Sequence, residues 1–291
     1  MPARPLHLAI AFAILCGIWG TSWLAIAEGL DDLPPLSSAA ARIVLAWLVL
    51  LVLAPTIARW EGGTRAPWWL AAAMGTLNIA YSYSVIYLTE KTLPSGLVSL
   101  LWGVFPLLML VAGVLFLGER LRAQHVIGFA GGMLGLGLLF ATDLARIGDA
   151  GIASAAFLLT SPIASATSQI FVKKFGQGMS AALLTRDALA VGSLLLVPAA
   201  LLFERDAPRQ WTGSAIASVV YLAVVATAFA FVLYYWLLRH VRSSKLSTIA
   251  YITPVLALTL GWLFRDEPLE LSTLGGAALV RGSVALVIRV R

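Results

Sequence analysis

Charge is scarce in this chain. Asp, Glu, Lys and Arg make up only 12% of its 291 residues, while 60% are hydrophobic. An ordinary soluble domain carries about 25% charged residues, so 14 acids and 20 bases cannot coat a soluble fold of this length. A mean hydropathy of +0.92 points to lipid as the solvent for most of the chain. Cysteine is nearly absent too: Cys16 stands alone, which excludes an intrachain disulfide. His7, His125 and His240 are scattered along the chain, so there is no metal-ligand spacing, and no metal or other cofactor is expected. Adjacent bases never extend beyond Lys173-Lys174, so the net charge of +6 does not indicate a nucleic-acid partner.

Apolar runs are what the chain has instead. About 20 residues of helix cross a bilayer's hydrocarbon core, and ten such runs can be laid down, near 6–28, 36–57, 68–89, 94–117, 125–141, 151–172, 181–203, 213–238, 245–264 and 271–288. Barrel strands would be half that length and would alternate apolar with polar. The fold class expected is therefore an all-α integral membrane protein with ten transmembrane helices. The first run exceeds the apolar core of a signal peptide and reads as a retained helix. If the N-terminus is cytoplasmic, so is the C-terminus, and the bases sort by loop. Inside lie Arg4, Arg59, Arg65, Arg120, Arg122, Lys173, Lys174, Arg239, Arg242, Lys245, Arg289 and Arg291; outside lie Lys91, Arg146, Arg205, Arg209 and Arg265. Twelve against five obeys the positive-inside rule.

Sliding the chain against itself by 148 residues aligns its halves. Leu115-Phe116-Leu117-Gly118-Glu119-Arg120-Leu121 falls on Leu263-Phe264-Arg265-Asp266-Glu267-Pro268-Leu269, and Tyr87, Ser99, Pro106 and Gly128 fall on Tyr235, Ser247, Pro254 and Gly276. The chain divides into two units of five helices, 1–145 and 146–291. Because five is odd, the second unit enters the membrane inverted, which is the plan of secondary transporters that alternate access around a central site.

The repeated unit, with its mid-helix proline, Leu-Phe-Leu-Gly-Glu-Arg-Leu ending and following Gly-rich helix, resembles the EamA domain of the drug/metabolite transporter superfamily. The resemblance covers essentially the whole chain as two EamA repeats. In the second, Pro268 replaces the basic residue and Arg265-Asp266 replace Leu-Gly, so the signature there rests on Phe264, Glu267 and Leu269. Within the superfamily, the aromatic-rich third and fourth helices are most similar to aromatic amino acid exporters of the YddG type. The resemblance implies a multi-pass protein of the cytoplasmic (inner) membrane that exports aromatic and other neutral amino acids. Its partners would be a small-molecule substrate and the lipid bilayer. One chain holds both halves, so a monomer suffices for the pathway, although a dimer is compatible.

Residues for a pathway can be chosen by helical spacing. Asn78, Tyr81, Ser82 and Thr89 share one stripe of the third helix, whereas Tyr83 and Tyr87 point the other way. Ser95, Ser99, Trp102 and Pro106 line the fourth; Ser243, Ser247, Ala250 and Pro254 form the repeat counterpart, with Tyr251 beside it. The first helix adds Trp19, Ser22 and Trp23, and the sixth adds Pro162, Ser165 and Gln169. Aromatic rings with hydroxyls suit amphipathic or cationic solutes, although serines also pack helices together and tyrosines also sit at interfaces. Pro106 and Pro254 remove backbone donors and offer hinges for gating. Arg42 and Arg186 each open the second helix of their half and are assigned structural pairing, with Asp187 as a local counter-charge. Glu119 and Glu267 are expected to tie helix ends. Gly128, Gly131, Gly132 and Gly135, with Gly275, Gly276 and Gly282, suit close packing or a dimer face. Arg281 has no account.

Asp187 is the one acid well inside an expected span, and its neighbour Arg186 favours its ionised form, which argues against a proton carrier. Facilitated export is therefore expected; the alternative is a proton-coupled exporter of cationic or multiple drugs. An enzyme is not expected, because no His, Asp and Glu converge.

Overall fold

The computed structural model describes residues 5–93, 95–120, 122–139, 148–256 and 271–289. Among the described residues there is no β-strand, and the one β-type contact is an isolated bridge between Thr64 and Met179. The first half comprises α1 (Pro5–Asp32), α2 (Pro35–Glu61), α3 (Trp68–Ala73), a π-helical segment (Met74–Tyr81), α4 (Ser82–Glu90), α5 (Ser95–Trp102), α6 (Phe105–Leu117) and α7 (Ala123–Leu139). The second comprises α8 (Asp149–Phe175), α9 (Ala181–Phe203), α10 (Gly213–Ala223), a π-helical segment (Val224–Phe229), α11 (Ala230–His240) and α12 (Ser243–Leu246). It continues with α13 (249–256) and α14 (Leu271–Arg289). Among the described residues, six helical stretches are long and apolar enough to cross a bilayer: Leu6–Asp32, Pro35–Glu61, Leu97–Leu117, Gly151–Phe175, Ala181–Phe203 and Gly213–His240. The others are shorter or interrupted.

The interruptions have local causes. Pro106 has no N–H to give the preceding turn. There the backbone tightens, with Gly103 N–H bonding Leu100 O at 2.8 Å and Val104 N–H bonding Leu101 O at 3.3 Å. A comparable tightening spans 247–251, where Ala250 and Tyr251 bond the carbonyls three residues back at 3.0 Å. Between α3 and α4, and again between α10 and α11, the helix widens into a π turn. Such turns are rare and cluster at functional sites.

Two helix pairs make the scaffold. α2 and α9 run antiparallel, and each receives its N-terminal cap from the other's C-terminal end. A helix N-terminus carries unsatisfied N–H groups and partial positive charge, which a carboxylate satisfies. Pro34, at the N-cap of α2, has no side chain to do so. Glu204 supplies it: Leu36 N–H and Ser37 N–H donate to its carboxylate at 2.8 and 2.7 Å. At the opposite end Glu61 accepts from Ala181 N–H at 2.8 Å and from the Ser180 hydroxyl at 3.0 Å, and is ion-paired with Arg239.

The second pair is α7 with α14, packed through glycine. A Cβ added at Gly128 would lie 2.5 Å from Val287, and one at Gly135 would lie 2.9 Å from the Gly276 carbonyl. Gly128, Gly131 and Gly135 of α7 are therefore a packing seam between these two helices. Gly275 and Gly282 meet nothing within 4 Å, and Arg281 is exposed on the same helix.

Candidate solute cavity

The first π segment sets one wall. With one extra residue in its turn, the helix leaves Tyr81 at a different angle from that of a regular α-helix, and the faces of α4 rotate accordingly. Asn78 is buried inside the segment and donates to the Tyr235 hydroxyl at 3.2 Å. Ser82 bonds Ser161 at 2.6 Å and Ser165 at 2.9 Å, joining α4 to α8. Tyr83 is turned inward. Tyr81 is turned outward, 39% exposed, with its hydroxyl donating to Thr160 at 2.8 Å. The expectation of Tyr81 inside and Tyr83 outside is thus reversed, because it assumed a constant step per residue.

These side chains border a central cavity of about 830 Å³, its open mouth included. Aromatic rings form its apolar wall. Trp19 lies 5.2 Å from Tyr234 and 6.0 Å from Phe231 between ring centroids, and Trp102 stacks on Phe105 at 5.2 Å. Their polar edges are held: Trp19 Nε1 donates to Ala226 O at 3.2 Å, Trp102 Nε1 to Ser161 at 3.1 Å, and the Tyr234 hydroxyl to Gln169 Oε1. Fixed rings with occupied polar edges make a preformed surface for a small amphipathic molecule.

Eight of the ten pathway candidates border this space: Trp19, Asn78, Ser82, Ser99 and Trp102 from the first half, and Ser165, Gln169 and Ser247 from the second. Tyr251 does not. Its ring packs on Gly132 and against Phe129, and its hydroxyl donates to Phe129 O at 3.0 Å, so it belongs to the α7 seam. Of the two hinge candidates, Pro106 lies just past the break before α6, whereas α13 runs through Pro254 unbroken over its described length. Thr89 is buried and bonds its own helix at Val85 O.

The charges divide in a way that the spacing alone did not reveal. Asp187 takes Arg186 at 2.7 Å and Arg65 at 2.8 Å, so neighbours on one helix do pair here, and all three stand away from the cavity. Glu119 accepts from the Ser243 hydroxyl at 2.6 Å and its N–H at 3.0 Å, holding the start of α12. Glu267 lies outside the described residues. Arg42 is different: it is 2% exposed and borders the cavity. Its Nε donates to Thr227 at 2.8 Å, and its two Nη atoms to Tyr87 and Tyr83 at 3.3 and 3.2 Å. Thr227 sits in the second π segment and bonds Leu222 O at 2.7 Å, so that turn presents its hydroxyl to Arg42. Glu90 is within electrostatic reach of Arg42, yet both its carboxylate oxygens are buried with no hydrogen-bond donor. In the sequence Glu90 reads as a loop-end acid.

A family model for EamA-like transporters matches this chain twice, over residues 7–141 and 152–289. The chain belongs to the EamA-like transporter family. It is 27% identical to the uncharacterized transporter YvbV of Bacillus subtilis (strain 168) over 288 residues, 99% of this chain and 92% of that one. It is 26% identical to the protein PecM of Dickeya dadantii (strain 3937), covering 95% of this chain and 90% of PecM. A solved crystal structure superposes with a TM-score of 0.78 at 20% identity, covering 97% of this chain and 96% of the other, and so shares its fold. The family and the apolar helices make this EamA protein a multi-pass membrane transporter.

Proposed function

We propose that this transporter exports aromatic and other neutral amino acids, with related small metabolites, across the cytoplasmic membrane by alternating access. The observation that carries the reading is the central cavity, whose wall combines ordered aromatic rings with hydroxyls and amides drawn from both halves of the chain. In this reading the units 1–145 and 146–291 are inverted repeats. The reciprocal caps of α2 and α9, the π turn in each half and the double family match support that arrangement. The excess of bases in alternate loops supports cytoplasmic termini. The YddG-type exporters of aromatic amino acids remain the resemblance that best fits an aromatic wall.

Transport is facilitative in this proposal, because Asp187 is held by two guanidinium groups and stands outside the cavity. A cation exporter is disfavoured by Arg42, whose positive charge borders the site.

The test is uptake by proteoliposomes of radiolabelled amino acids, quaternary amines and nucleobases. Neutral aromatic amino acids should move down their gradients without an imposed pH difference. Trp102→Ala, which removes a stacked ring, should lower the rate about ten-fold or more, consistent with roughly 1.4 kcal/mol or more of lost contact. Tyr81→Ala should leave it near wild type. Transport that requires a pH gradient and vanishes in Asp187→Asn or Glu90→Gln overturns the facilitative reading, and indifference to Trp102→Ala overturns the cavity as the solute site.

A further inference from the structure

Arg42 is a buried cation that makes no ion pair among the described residues. A buried guanidinium is ordinarily matched by a carboxylate, because an unpaired charge out of water costs several kcal/mol. Its repeat counterpart obeys that rule: Arg186 has Asp187 as its next residue and pairs with it at 2.7 Å. The corresponding residue after Arg42 is Ile43, and Arg42 makes no ion pair among the described residues. Its three hydrogen-bond partners, Thr227, Tyr83 and Tyr87, are neutral hydroxyls, and Glu90, though within electrostatic reach, neither bonds nor ion-pairs with it. A guanidinium has five N–H donors in a planar fork, so three bonds leave one N–H on each Nη atom without an acceptor. The side chain is held rigidly, since its carbon Cζ also lies 4.5 Å over the Tyr83 ring.

We propose that Arg42 is the anchor for the carboxylate of the transported solute, so that the substrates are amphipathic monocarboxylates with the acid on Arg42 and the apolar part against Trp19 and Phe231. This rests on the reading of the cavity as the solute site and deepens it. Two free N–H groups on adjacent nitrogens of one planar group match the two oxygens of a carboxylate. Among the described residues the cavity wall holds one cation, Arg42, and no Lys or His, so it matches a single negative charge better than a phosphate dianion. Asn78 and Ser82 stand in the same wall and supply polar contacts for further groups on the solute. Arg186 has no comparable role, because it is ion-paired with Asp187 and stands away from the cavity.

Tryptophan fluorescence of the purified full chain reports the site, because Trp19, Trp23 and Trp102 all border it. Four probes share one ring: L-phenylalanine, 3-phenylpropionate, L-phenylalaninamide and phenethylamine. The two carboxylates should bind wild type at least ten-fold more tightly than the two amines. Arg42→Gln should bring that ratio close to one by weakening the two carboxylates without weakening phenethylamine, and Arg42→Lys should keep part of it. A wild-type ratio near one overturns the proposal without recourse to any variant, as does a ratio unchanged in Arg42→Gln. If 3-phenylpropionate binds through Arg42 and phenylalanine does not, the carboxylate anchor stands and amino acid export falls. If all four bind alike and Trp102→Ala weakens all of them, the cavity reading stands and the anchor falls.

Discussion

At the scale of single residues, the site turns on whether a polar group has found its partner. Arg42 lies in α2 and Arg186 in α9, and the sequence already distinguishes them by the next residue, Ile43 after one and Asp187 after the other. That contrast was legible but not its consequence, because nothing in the spacing says that Tyr83 turns inward to meet Arg42. Tyr83 serves Arg42 twice, through its ring face at 4.5 Å and through its hydroxyl at 3.2 Å. The two contributions are separable. Tyr83→Phe keeps the ring and removes the acceptor for a buried charged donor, a loss of about 1–2 kcal/mol. Tyr83→Leu also removes the cation–π contact and should cost about 1 kcal/mol more. Unfolding in detergent, followed by denaturant titration, should rank wild type above Tyr83→Phe and that above Tyr83→Leu. Equal stability of the two variants would mean that the ring does not support the guanidinium.

At the scale of helices, hydropathy found the apolar runs, and regular spacing chose eight residues that border the cavity. What it could not supply are the irregularities. Neither π segment has a composition that departs from its flanks, so the rotation that exchanges Tyr81 for Tyr83 was invisible. The same holds for Tyr251, which the tight turn over 247–251 swings toward Phe129. The matching order Arg42, Pro55, Glu61 and Arg186, Pro198, Glu204 was present in the sequence, but its use is tertiary: each glutamate ends one helix and caps the other. α2 is 27 residues long, which at 1.5 Å per residue separates the two caps by about 40 Å. Sites that far apart add independently. Glu204→Ala should cost about 1–2 kcal/mol, the ordinary value of an N-cap. Glu61→Ala should cost more, because it also leaves the partly buried Arg239 without its carboxylate. The double variant should equal the sum within about 0.5 kcal/mol by the same denaturant titration. A marked shortfall would show that the ends of the pair communicate.

At the scale of the whole molecule, the two scaffolding pairs limit where motion can occur. α2 with α9 is tied at both ends, and α7 with α14 is packed through glycine, so neither pair yields easily. The irregular backbone lies elsewhere, at 103–104, at 247–251 and in the two π segments, and each of these adjoins the cavity wall. Alternating access in the proposed mechanism is therefore a rocking of rigid pairs about those irregular points, and it requires the two ends of α9 to face opposite sides of the membrane. α9 has 23 residues, about 34 Å of helix and enough to span the hydrocarbon. Gln177 lies exposed just before it and Asp206 just after. In the proposed orientation, which follows the positive-inside count, Gln177, beside Lys173 and Lys174, would be cytoplasmic and Asp206 outside. The chain's single cysteine is buried in α1 and gives little background. A membrane-impermeant maleimide added to intact cells should label Asp206→Cys and should reach Gln177→Cys only after permeabilisation. The reverse pattern would invert the orientation and turn the proposed exporter's cytoplasmic face outward, while labelling of both in intact cells would mean that α9 does not cross at all.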